Sequence, residues 1–327
     1  RLAGTDPAPP SSGLGSGLLD HVATVFDGFD VQWFDVAESV RLRVRLGGSG
    51  PPIVLLHGHP RTHTTWFRVA PMLVEAGFSV VCPDLRGYGK STAPPPRPDH
   101  SQASKREMAA DVAEVMSRIG HQRYAVVGHD RGSYVAFRLA MDYQDRITHL
   151  VALDCVPIGE ALRRADARFA DAWWHWFFFA QPSKPERAIL ADPDAWYSTG
   201  VEQQSRMGPE NYADYYSAIH DPAVVVAMLE DYRAGIGVDR AADDEDRTRE
   251  RRVACPTLVA WSAHDDMQDL YGDLVEIWKS WAADVRGREI DSGHHLAEDN
   301  PTAVAAAIIE HCRLQSRLPT RSAQMND

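Results

Sequence analysis

The chain has 327 residues, is 44% hydrophobic and 24% charged, and carries a formal net charge of −12. That composition supports a large buried core and argues against nucleic acid as a partner, because phosphate recognition needs a basic face. No apolar run in the sequence approaches the roughly 18 residues of a membrane span, so no membrane association is expected either.

Residues 1–20, rich in Pro, Gly and Ser without an apolar signal core, read as a flexible N-terminal tail, and 317–327 as a C-terminal one. The segment SVRLRVRL (39–46) alternates like a strand, and PIVLLHG (52–58) is a continuous apolar run of the kind buried on both faces. A helix ending at Gly77 leads into the strand SVVCPD (79–84). The stretch SKREMAADVAEVMSRIG (104–120) has helical periodicity and stops at Gly120. Further strands are expected in RYAVVGHD (123–130), HLVALD (149–154), PTLVAWS (256–262) and VRGREID (285–291). A last helix, PTAVAAAIIEHCRL (301–314), has Pro301 placed for its first turn.

This alternation predicts an α/β protein with a mostly parallel, doubly wound sheet built from residues 21–157 and 251–316. Between them, 158–250 is rich in Trp, Tyr, Asp and Pro and lacks strand patterns, so it reads as an inserted helical cap. Its tyrosines Tyr197, Tyr212, Tyr215 and Tyr216 are read as cap packing, and AADDEDRTRERR (241–252) as a solvated return segment. Cys82, Cys155, Cys255 and Cys312 are scattered without metal-ligand spacing; they are expected to be free thiols of a cytoplasmic protein, with no metal and no cofactor.

Ligands of open parallel sheets bind beyond the carboxyl ends of the strands. Chemistry-bearing residues fall at five such ends: His57–Pro60, Asp130, Asp154, Asp265 with Asp266, and His294 with His295. Asp130 stands inside Gly128-His129-Asp130-Arg131-Gly132, a strand–turn–helix pattern that exposes a nucleophile on a tight elbow. A carboxylate there attacks sp³ carbon and becomes an ester of the protein. The order nucleophile, acid, histidine along the chain is that of a hydrolase triad, with the pair His294 and His295 in the histidine position. The backbone N–H groups of His59 and Arg131 are placed to stabilise the oxyanion.

With these residues in view, HGHPRTHTTW (57–66), DLRGYGKS (84–91), GHDRG (128–132) and GHHLAE (293–298) resemble the haloacetate and fluoroacetate dehalogenases of the α/β-hydrolase fold. WHWFFFAQP (174–182) and EDYRAG (230–235) resemble that family's halide-binding segments. The resemblance, from about residue 22 to 312, implies hydrolysis of small 2-halo acids, with water as the only co-substrate and a homodimer as the assembly. It implies Asp154 as the acid behind His294, although WSAHDD (261–266) puts Asp265 where many α/β-hydrolases carry it; Asp154 is favoured. It further implies His175, Trp176 and Tyr232 as leaving-group donors and Arg131 as the carboxylate-binding residue. The family's second arginine is Tyr134 here, with Arg61 the nearest cation that could compensate. That departure keeps a relative open, an epoxide hydrolase using the same Asp, His and cap donors.

Overall fold

The computed structural model describes residues 26–314; the two expected tails, with residues 21–25 and 315–316 of the expected core, lie outside them. Eight strands form one sheet in the order β1-β2-β4-β3-β5-β6-β7-β8. They are β1 (Phe29–Ala37), β2 (Val40–Gly48), β3 (Pro52–Leu56), β4 (Ser79–Pro83), β5 (Tyr124–His129), β6 (Ile147–Leu153), β7 (Thr257–Ser262) and β8 (Val285–Ile290). The pairings β1–β2 and β2–β4 are antiparallel and all the others parallel. The doubly wound sheet expected from the sequence is therefore present, with an antiparallel ribbon at one edge.

The apolar runs are continuous because the central strands are covered on both faces. Val54, Leu56, Val126 and Ala152 belong to one buried cluster, whereas Ile53, Leu55, Val127 and Val151 belong to another. Alternate residues of each strand thus feed opposite cores, as the pleat requires. The helix Lys105–Arg118 stops where expected: Gly120 has φ 88°, and the His121 N–H turns back to Met116 O at 2.8 Å. Pro301 opens the helix Pro301–Cys312, capped by Asn300 Oδ1 accepting from the Ala303 N–H at 3.1 Å.

Strand β1 was not among the expected elements, although FDVQW (29–33) alternates apolar and polar residues. It pairs on one side only, and Val31 and Trp33 are each 43% exposed, so its apolar residues do not mark a buried face. The charge run also departs from expectation. Helix Arg240–Thr248 turns Asp243 and Asp246 inward, where both bind Arg138, at 2.8 and 2.6 Å. It is an amphipathic helix with a buried ionic face, not a solvated return.

Between β6 and β7, helices run from Ile158 to Thr248 with no strand among them. One of them, Pro209–Ile219, is tied to the sheet side by ions and amides. Asp214 accepts two hydrogen bonds from Arg43, at 2.8 and 2.6 Å, and one from Thr62 Oγ1 at 2.6 Å. The fully buried Asn211 joins Thr64 Oγ1 (2.9 Å) to Glu298 Oε1 (3.1 Å). All four cysteines are free, three of them buried. Among the described residues no helix is long and apolar enough to cross a membrane.

Candidate active site

Parallel pairing from β3 to β8 brings the five predicted groups to one edge of the sheet. Asp130 follows β5 and precedes the helix Arg131–Asp142, at φ 48° and ψ −121°. For a residue with a side chain this is strained backbone, of the order of 1–3 kcal/mol, held because its surroundings allow nothing else. The flanking glycines explain how. A Cβ on Gly128 would lie 2.3 Å from Gly132 O, and one on Gly132 would lie 2.3 Å from Leu56 O. A Cβ on Gly58 would meet Asp130 Oδ2 at 2.5 Å. The motif spacing is thus imposed by close approach of strand, helix and the 57–60 loop.

The His59 N–H donates to Asp130 Oδ2 at 2.7 Å, and the Arg131 backbone N–H adds to the field that favours the charged carboxylate. Burial alone would raise the Asp130 pKa, but the charges of His294, His129 and Arg131 outweigh it and hold the group below its ordinary value. The neighbouring Ser133 is occupied. Its hydroxyl lies 2.6 Å from Gly128 O and 2.9 Å from Leu153 O, and accepts from the Leu153 N–H. His57 is structural too: buried, it accepts from the Leu85 N–H at 3.0 Å.

His294 Nδ1 lies 2.8 Å from Asp154 Oδ2 and 2.9 Å from Asp265 Oδ2. Carboxylates accept, so Nδ1 carries a proton and Nε2 is left for other work. Both candidate acids, the favoured Asp154 and the alternative Asp265, thus reach the ring. Asp154, which also accepts from the Ser262 N–H at 3.0 Å, is pushed up by burial. Burial opposes ionisation of Asp265 as well, yet its bond to His294 brings it down to about 2. Burial would lower His294, but the two acids and the charge of Asp130 overcome this and raise it well above its ordinary value. Its side chain nonetheless keeps 37% of its surface accessible, so the ring borders open space.

His175 and Trp176, on helix Trp174–Phe179, meet Tyr232 from helix Pro222–Ala234, with ring centroids 5.9 and 6.3 Å from the tyrosine. Burial lowers His175 to about 4 despite the nearby Asp130 charge, so the ring is neutral at pH 7. Burial and the Asp130 charge keep the Tyr232 phenol protonated. The aromatic residues around this pair divide. Phe179 is buried with its ring 4.9 Å from Tyr232, whereas Trp174 and Phe177 are 51% and 38% exposed and do not fill an interface.

Arg131 is in the site but already engaged. Its Nε and Nη2 donate to Asp231 Oδ2 and Oδ1 at 3.2 and 2.8 Å, and Nη2 also to Asp231 O at 2.9 Å. Tyr88 donates to the same carboxylate at 2.6 Å, and the Lys105 ammonium pairs with it as well. Of the guanidinium nitrogens, Nη1 alone has no hydrogen-bond partner among the described residues. The guanidinium lies 4.1 Å from the Tyr232 ring centre and 5.2 Å from that of Tyr134. Arg61 cannot compensate for the missing second arginine. It is neither exposed nor free, but donates twice to Glu298, at 2.9 and 3.1 Å, in a fully buried pair.

Sequence reasoning missed Asp231, Lys105 and the side chains of His59 and His129. Lys105 had a signal: Lys105, Met108, Val112 and Val115 fall on one buried helix stripe, so the lysine sat out of place on an apolar face. His129 Nε2 lies 2.7 Å from His294 O, and burial lowers the ring to about 4; the neutral ring donates and fixes the base loop. A separate cavity of about 920 Å³, between Gly87–Pro96 and the start of helix Pro222–Ala234, contains none of these groups.

A profile described as the α/β hydrolase fold matches residues 51–301. The chain is 37% identical to a fluoroacetate dehalogenase from Burkholderia sp. over 292 residues, covering 88% of this chain and 94% of that one. It is 31% identical to a soluble epoxide hydrolase from Corynebacterium sp. (strain C12), covering 81% and 91%. A solved Pseudomonas aeruginosa structure, provisionally described as an epoxide hydrolase, superposes with a TM-score of 0.79 at 41% identity, over 88% of this chain and 96% of that one.

Proposed function

The chain belongs to the α/β-hydrolase fold family and is similar to a fluoroacetate dehalogenase and to a soluble epoxide hydrolase, and we propose that it hydrolyses the carbon–halogen bond of small 2-halo acids. The observation that carries this reading is an ionised Asp130 with one oxygen held by the His59 N–H, facing neutral His175 and Tyr232. The other oxygen attacks the halogen-bearing carbon in line. Halide leaves toward His175, Trp176 and Tyr232, whose bonds to a charged leaving group are worth about 1.5–3 kcal/mol each. Asp130 is then an alkyl ester. His294 takes a proton from water, which adds to the ester carbonyl while the His59 and Arg131 N–H groups hold the oxyanion. Collapse expels the alkoxide, which takes the proton held by His294 and leaves as the 2-hydroxy acid, and Asp130, now carrying one oxygen from water, loses its remaining proton to solvent. The insertion Ile158–Thr248 acts as the cap over this chemistry.

A second reading, an epoxide hydrolase, is favoured by one observation. Arg131 spends its fork on Asp231 and offers a substrate carboxylate only Nη1. On that reading Tyr232 and His175 protonate the opening oxygen. Release of fluoride or chloride from fluoroacetate, chloroacetate and 2-chloropropionate, with Asp130→Asn as the blank, separates the two. Halide above the blank is the expected result. No halide from any of the three, with turnover of a small epoxide, would replace the first reading by the second.

Because both acids reach His294, neither is expected to be indispensable alone. Asp154→Asn and Asp265→Asn should each lower kcat by about tenfold, and the double substitution by about 10³–10⁴, the scale of losing the acid of a triad. A single variant as impaired as the double one would show that only one carboxylate supports the histidine.

A further inference from the structure

Two enclosed polar atoms near Asp130 have no hydrogen-bond partner among the described residues: His59 Nδ1 and Tyr197 Oη. The rings that carry them are neighbours, with centroids 5.8 Å apart. His59 also lies 5.3 Å from Tyr232 and 5.5 Å from Phe179, and the Asp130 charge acts on its imidazole. The pair therefore borders the same aromatic space as the leaving-group donors.

Burial brings His59 down to about 3, so its imidazole is neutral, with one N–H and one acceptor nitrogen. Burial also keeps the Tyr197 phenol protonated. Neither side chain serves the fold through a hydrogen bond. The backbone N–H of His59 works at Asp130, but a phenylalanine would supply that N–H equally well and fill the aromatic corner without an orphaned nitrogen. Buried polar atoms without partners are few in native proteins and each has a reason. The charged groups nearby are meanwhile occupied, Arg131 and Lys105 by Asp231 and Arg61 by Glu298.

We propose that His59 and Tyr197 form a subsite for an uncharged hydrogen-bonding substituent of the substrate, a carboxamide or hydroxyl, carried beyond the carbon that Asp130 attacks. The preferred substrate is then larger and more polar than a haloacetate. This rests on the reading of Asp130 and its aromatic surroundings as the substrate site.

The test compares 2-chloro-3-carbamoylpropanoate with 2-chlorobutanoate, which lacks the amide. Wild-type kcat/KM should favour the amide by about tenfold, the scale of one net hydrogen bond. Tyr197→Phe and His59→Phe should each bring the ratio close to one. A ratio near one in the wild type, or one unchanged in both variants, overturns the subsite. If neither chloride is released, the dehalogenase reading fails and the subsite is judged by binding alone. Calorimetry on Asp130→Asn protein should then give succinamate a Kd about tenfold below that of butanoate, an advantage lost on adding Tyr197→Phe. Equal affinities, or no binding of either probe, would overturn it.

Discussion

Asp130→Asn is expected to abolish turnover, whereas His294→Asn should release one halide per site and then stop. The two substitutions interrupt different halves of one reaction. An amide at position 130 cannot displace halide, so the first step never occurs. Without the imidazole, displacement proceeds but the ester meets no activated water. Intact-protein and peptide mass spectra of His294→Asn after exposure to substrate should therefore carry a carboxyalkyl adduct, joined as an ester, on Asp130. An unmodified Asp130, under conditions where the wild type turns over, would sink the covalent mechanism. The charge state of His294 adds a pH signature. Its pKa is raised, chiefly by Asp154, Asp265 and Asp130, so below that raised value the ring is protonated and cannot act as a base. Ester formation neutralises Asp130 and removes one of these influences, but the two acids remain. Hydrolysis of the ester should accordingly speed up as pH rises beyond the ordinary histidine range, and a halide burst should be larger at pH 6 than at pH 9. Equal bursts at both pH values would mean that His294 does not limit the second step.

How much of this was legible in the sequence follows from how local each signal is. The runs around Val54, Val126 and Val151 declared a sheet covered on both faces, because each strand feeds two cores. The elbow at Asp130 was readable because close contacts at Gly128 and Gly132 tolerate no side chain, which fixes the motif in one dimension. β1 went unread although FDVQW alternates, and the fold shows an edge strand paired on one side that leaves Val31 and Trp33 in water, so its apolar positions mark no buried face. The state of Arg131 was equally hidden. Its partner Asp231 is 100 residues away, and only the fold shows that the guanidinium is spent before any ligand arrives. Asp154 and Asp265 posed a similar problem, since each stands at its own strand end and nothing local tells that both meet one nitrogen.

The Arg131–Asp231 pair leads to the other large effect expected. Asp231 is fully buried and receives Arg131, Lys105 and the Tyr88 hydroxyl, whose combined field holds it well below the usual carboxylate range. Asp231→Asn keeps the shape and removes the charge that both enclosed cations share, leaving Lys105 with Asp239 at 3.4 Å as a counterion. Breaking such a pair by removing one member costs about 3–5 kcal/mol, because the desolvated partner is left uncompensated. For a chain of this size the melting temperature should fall by roughly 5–10 °C. Adding Lys105→Met removes one stranded charge, so the double variant should recover part of that loss, a coupling a thermal-shift cycle can measure. Activity should move in the opposite direction for one substrate class. Freed from Asp231, the Arg131 fork can meet a carboxylate with two donors instead of one, so KM for chloroacetate should drop while KM for an uncharged epoxide stays put. A stable Asp231→Asn protein would show that the two cations have another counterion. An unchanged KM for chloroacetate would show that Arg131 does not face the substrate, and would move the haloacid assignment toward neutral substrates.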